Sequence, residues 1–242
     1  MATRDVFLDE ADYTGPNLTD SQLPVFVLAS TVVLEDEARA LLDSCFGKRK
    51  TEVKFYKLAK SQRGRSQILE FLRGLELDRG QVALYCVHKE YILLAYLIDF
   101  WLEPMMHQEG VNLYARGGNI ALTNVSYITL GTCLGREDRR ELLRRFQVMT
   151  RNRNRFAFQS FWDFLRQVVR EHDLIAQVLG ALPFAAERFG YEHLLKLPSD
   201  LLDLGDYGLL QTVAHWREQL PDTELTLFHD RSTMVASEAR TN

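Results

Sequence analysis

The chain has 242 residues, of which 46% are hydrophobic and 26% charged, and its formal net charge is −4. This balance fits a folded globular protein with a sizeable core. It excludes a protein that coats nucleic acid through bulk positive charge, while leaving room for a local basic groove.

No basic region followed by an apolar run opens the sequence, so no secretory leader is expected. The first predicted element is a short strand, Val6 to Leu8, which runs into Asp9, Glu10 and Asp12 before Gly15-Pro16 turns the chain. Leu23 to Leu34 is rich in β-branched residues without clean alternation, as in a strand buried on both faces. Glu35 to Phe46 reads as a helix with acids at its positive end and Gly47 beyond its last turn. Val53 to Leu58 alternates apolar residues with Lys54 and Lys57 and reads as a strand with one wetter side. A helix over Ser61 to Glu76 and a buried strand over Gln81 to Val87 follow, the strand ending in His88-Lys89. Helical spacing then dominates, over Tyr91 to Met106, Asn119 to Cys133, Glu137 to Met149 and Phe156 to His172. The apolar run Tyr91 to Leu102 is interrupted by Asp99 and is too short to span a bilayer. A less regular stretch carries Pro183, Gly190 and Pro198 as breaks, and Ser199 is the expected N-cap of a helix running to Gln219. Thr223 to His229 is the last strand, ending in Asp230-Arg231-Ser232. Cys45, Cys86 and Cys133 form no Cys-x-x-Cys pair, which argues against structural zinc or a disulfide framework and for a reducing, cytoplasmic setting.

The expected architecture is therefore α/β, bordering on α+β. One domain covers 1–242, and a mostly helical insertion or cap over 91–220 interrupts its mixed sheet. Phosphate loops, dinucleotide glycine patterns, the serine elbow and the zinc-helix motif are all missing from the sequence. Acids at strand ends remain. Hard divalent cations engaged in phosphodiester hydrolysis need carboxylates converging from different elements. Asp9 ends the first strand and Asp230 the last, so parallel, neighbouring strands would set them side by side. Glu10 should face the other way from Asp9 in a regular strand, unless a bulge intervenes. His88 also ends a strand, where a lone histidine is a candidate ligand or base but more often structural.

Arginine is the second charged feature. Arg136, Arg139, Arg140, Arg144, Arg145, Arg151, Arg153 and Arg155 fall close together, and guanidinium groups suit phosphate. A solvated helix face paired locally with Glu137 and Glu141 explains the same pattern equally well. Lys54, Lys57, Lys60 and Arg63 make a smaller patch of the same kind.

Together these features resemble the domain-of-unknown-function 3800 family of ribonuclease-H-like predicted nucleases. Phe7-Leu8-Asp9-Glu10 and Pro24 to Val33 are similar to the family's opening. Val53 to Lys57, Ser66 to Leu75, Val82 to Lys89 and Leu225 to Ser232 are similar to its later elements. The resemblance implies a nuclease dependent on Mg²⁺ or Mn²⁺ and acting on DNA or RNA. Asp9 and Asp230 would be metal ligands, Glu10 would join them in the catalytic set, and Arg151, Arg153, Arg155 and Lys57 would contact nucleic acid. The chain departs from the family at Ala11-Asp12, where Ser-Gly is usual, and at His88-Lys89, where Asp-Lys is frequent. It also has no Gln-x-x-Asp segment after Ser232. These departures motivate an alternative: a catalytically inactive module binding nucleic acid or a protein partner in a mobile-element or phage-defence system.

Overall fold

A computed structural model describes residues 2–12, 15, 17–20, 22–48, 53–75 and 80–229. In chain order the elements are β1 (Ala2–Ala11), β2 (Val25–Thr31), α1 (Glu35–Phe46), α2 (Phe55–Leu58), α3 (Gln62–Gly74), β3 (Val82–His88) and α4 (Lys89–Leu97). They continue with α5 (Glu103–Gln108), α6 (Gly118–Cys133), α7 (Arg136–Asn152), α8 (Arg155–Glu171), α9 (Asp173–Leu179), α10 (Leu182–Lys196), α11 (Leu204–Gln219) and β4 (Thr223–His229). A π-helical turn over Ile98–Leu102 joins α4 to α5. The strands form one mixed sheet in the order β3-β2-β1-β4. Among the described residues, no helix is long and apolar enough to cross a membrane.

The chain divides into two compact units. The first comprises Met1–Ala11, Leu28–Tyr85 and Gly208–Asn242, and β1 and β4 lie wholly within it. Val6 and Leu8 of β1 are buried while Phe7 and Asp9 are exposed, the period-two pattern of a strand with unlike faces. Val6 packs with Val32 and Trp216 in a buried cluster bordered by Ala83, Leu220 and Leu225. Trp216 Nε1 donates to Ser30 Oγ at 2.9 Å, and Ser30 Oγ donates onward to the Ala83 carbonyl at 3.4 Å. The polar edge of the indole is thus satisfied inside an apolar core. β4 runs parallel to β1, with Ala2 opposite Thr223 at one end of the pairing and Leu8 opposite His229 at the other.

The strand expected over Val53 to Leu58 is instead α2, a single helical turn. Six residues of alternating apolar character fit one helical turn as readily as a strand, and local caps decide between them. Here Ser61 Oγ accepts the Gly64 N–H at 3.0 Å and starts α3 directly after α2. Gly64 is required at this corner, because a Cβ there would collide with the Leu58 carbonyl.

The second unit comprises Asp12–Val27 and Cys86–Tyr207. Its core includes Trp101, Phe146, Phe161, Trp162 and Leu165, and the Trp101 and Trp162 rings meet edge to face at 4.8 Å. α7 and α8 match the helices expected from apolar spacing. The stretch after His172, expected to be irregular, folds as α9 and α10. Pro183 sits in the first turn of α10, where a missing N–H is harmless, and Gly190 absorbs a kink by taking φ 66°. Buried Gln147 on α7 pins the segment after β1. Its Oε1 accepts the Leu18 N–H at 2.5 Å, and its Nε2 donates to Asn17 Oδ1 at 3.2 Å and to Thr19 Oγ1 at 3.3 Å.

Candidate functional site

Asp9 and Glu10 separate onto opposite faces of β1, as a regular strand requires. The Asp9 carboxylate is exposed, and its Oδ1 accepts the Glu10 N–H at 3.0 Å. Glu10 shares the face of Val6 and Leu8, and its Oε1 lies 3.1 Å from His229 Nε2 on β4. Of the two, Asp9 is the more exposed and shares the face of Phe7. Asp230 lies outside the described residues. The last register pair before it, Leu8 opposite His229, directly precedes Asp9 on β1 and Asp230 on β4. Among the described residues no group of three or more His, Cys, Asp or Glu side chains comes together as a metal-ligand set.

A cavity of about 300 Å³ adjoins Asp9 in the same unit. It opens between the sheet and the helices α1 and α3, and its walls include Phe7, Thr31, Leu41, Phe71 and Leu75. Thr31 Oγ1 already donates to the Gln81 carbonyl at 2.9 Å and accepts the Val33 N–H at 3.1 Å. The groove is therefore apolar with a carboxylate at its rim. Phe7 also stacks on Phe228, its register partner on β4, with ring centroids 5.2 Å apart and planes 21° apart. Both rings are substantially exposed, Phe7 at 39% and Phe228 at 46%.

The arginine cluster is largely consumed by internal bonds in the second unit. Glu141 accepts from Arg144 Nε at 2.7 Å and Nη2 at 2.8 Å, and from Arg145 Nε at 2.7 Å. The hydrogen bonds from Arg144, then Arg145, hold its carboxyl down at about 2 against the opposing effect of burial. Arg139 pairs with Glu90 at 3.3 Å. Arg153 ends α7 at φ 46°, donates Nε to the Thr150 carbonyl at 3.2 Å and Nη2 to the Pro198 carbonyl, and accepts the Tyr191 hydroxyl at its own carbonyl. Arg155 lies over the Tyr191 ring at 4.7 Å and within 3.7 Å of Glu192. Arg151 is exposed. Lys57 is exposed in the first unit, where it and Lys60 sit 5.9 and 5.8 Å from the Tyr56 ring.

Two further ionisable groups stand out, both in the second unit. Lys89 is buried, and its Nζ donates to the Asp12 carbonyl at 2.8 Å. Burial lowers its pKa while the Asp12 and Asp20 carboxylates oppose that shift. Asp99 sits in the π-helical turn, where burial raises its pKa against the hydrogen bond from Asn119 Nδ2 at 3.1 Å. π-Turns and perturbed carboxyls both recur at functional sites. The sequence offered Asp99 only as an interruption in an apolar helix. His88 serves as the N-cap of α4, its Nδ1 accepting the Tyr91 N–H at 3.4 Å and its ring meeting Tyr127 edge-on.

Comparison with protein-family models, with curated proteins and with solved structures returns no match.

Proposed function

We propose that this chain is a ribonuclease-H-like, divalent-metal-dependent nuclease acting on phosphodiester bonds of DNA or RNA, of the domain-of-unknown-function 3800 kind. The observation that carries the reading is the parallel pairing of β1 with β4 up to Leu8 opposite His229. On this reading the residues that follow that pair in the sequence, Asp9 and Asp230, would supply the carboxylates. Carboxylate oxygens suit Mg²⁺ or Mn²⁺, and Mg²⁺ sites commonly use only one or two carboxylates, with waters and substrate phosphate completing the shell. The exposed Asp9 side chain fits that role. Glu10 is a poorer ligand for the same ion, since it faces the other side of β1 and engages His229. A bound ion would supply charge neutralisation at the phosphate and a more acidic water.

Calorimetric titration with Mn²⁺ tests the site. Wild-type protein should bind the ion, and Asp9→Asn and Asp230→Asn should each remove measurable binding. Wild-type protein that binds no Mn²⁺ would leave the inactive module as the better reading.

A further inference from the structure

This inference rests on the nuclease reading and names the substrate of the same site. We propose that the groove beside Asp9 seats an unpaired base of a single-stranded nucleic acid, with the Phe7–Phe228 pair as its stacking platform and the basic α2–α3 segment along its phosphates.

Phe7 and Asp9 are two residues apart in a regular strand, so they project from the same side. Phe228 joins that side through the register of β4, and its ring stacks on Phe7. Phe228 covers one face of the Phe7 ring, while the groove adjoins Phe7 from the β2 side, so a base in the groove meets Phe7 with Phe228 stacked behind it, and stacking on an aromatic face tolerates any base. The apolar cavity next to the pair, about 300 Å³, is large enough for a base and has its carboxylate only at the rim. Bases of a duplex are stacked and paired inside the helix and cannot enter a groove of this kind without being extruded. A phosphate held near Asp9 would place the adjoining base at the groove if that base is unpaired.

Charge selects the occupant. α3 supplies Phe71 to the wall of the groove, and Leu75 directly after the helix adds to it. From Val53 to Gly74, Lys54, Lys57, Lys60, Arg63, Arg65 and Arg73 are exposed, against Glu70 as the single acid. That excess stands out in a chain whose formal net charge is −4, and it is confined to the α2–α3 wall, since α1 on the other wall carries Glu35, Asp36, Glu37 and Asp43. Phe55 and Tyr56 are exposed among these lysines. Aromatic rings interleaved with lysine match a polyanion that carries bases, whereas a docking protein helix would be served by the apolar groove without the charge.

Fluorescence anisotropy in EDTA tests the proposal without cleavage, using a short labelled oligothymidine and the same strand annealed to oligoadenosine. The single strand should bind about tenfold more tightly or better, and Phe7→Leu should weaken it by about tenfold while leaving duplex binding unchanged. The leucine keeps apolar contact with Phe228, and circular dichroism checks that the variant folds. A 2-aminopurine base in the strand reads stacking on the wild-type protein directly, and its fluorescence should fall on binding. Equal affinity for both forms, or an unchanged single-strand affinity in the folded Phe7→Leu protein, would overturn the platform. Absence of any nucleic-acid binding would also overturn it and leave the groove to a protein partner. Failure of the nuclease reading looks different: single strands would bind and stack as described, yet Mn²⁺ would elicit no cutting.

Discussion

Glu141 holds two guanidinium groups at once, and its carboxyl is depressed from 4.5 to about 2. Between those values the unfolded chain takes up the proton first. The stability this group contributes is therefore present in full above its unfolded pKa and is lost as pH falls toward about 2. The wild-type midpoint in urea should drop more than that of Glu141→Gln between about pH 5 and about pH 3. Parallel midpoints across that range would contradict the assignment. Lys89 shows the opposite arrangement, a buried ammonium whose lowered pKa reflects desolvation and whose hydrogen bond ties α4 to the Asp12 carbonyl. Asp9 differs from both in being exposed, with its carboxylate accepting the N–H of the next residue.

At the scale of elements, one buried hydrogen bond joins α11 to β2. Ser30→Ala would leave the buried Trp216 N–H without its acceptor, at a cost of about 1–3 kcal/mol read by urea unfolding. A loss well below that range would mean that the indole finds another partner. Much at this scale was legible in the sequence. α1 begins and ends where its acids and Gly47 suggest, and α7 and α8 follow apolar spacing. β1 extends further than its apolar triplet because pairing with β4 uses backbone groups and does not need apolar side chains at Ala2 to Asp5. α9 and α10 were hidden because Pro183 and Gly190 read as breaks, although a proline in the first helical turn and a glycine at a kink are both compatible with helix. α2 was misread because six alternating residues do not distinguish a strand from a turn of helix. For the site, period-two geometry separates Asp9 from Glu10 in advance. The fate of the arginines could not be read, since Glu90, Tyr191 and Pro198 lie far from them along the chain.

Across the whole molecule, charge is distributed differently from the sequence density of arginine. The Arg136 to Arg155 segment in the second unit is built largely into ion pairs and carbonyl contacts. The smaller Lys54 to Arg73 patch belongs to the first unit, which also carries Asp9, the apolar groove and the exposed phenylalanine pair. The groove, the Asp9 carboxylate and the basic segment therefore lie within one unit. The measurement that bears most directly on this account is cleavage of a labelled oligonucleotide by purified protein in Mn²⁺, with Asp9→Asn alongside. Wild-type protein should cut and the folded Asp9→Asn variant should not, whereas cutting that survives the substitution, or a wild-type protein that cuts neither DNA nor RNA, would contradict it.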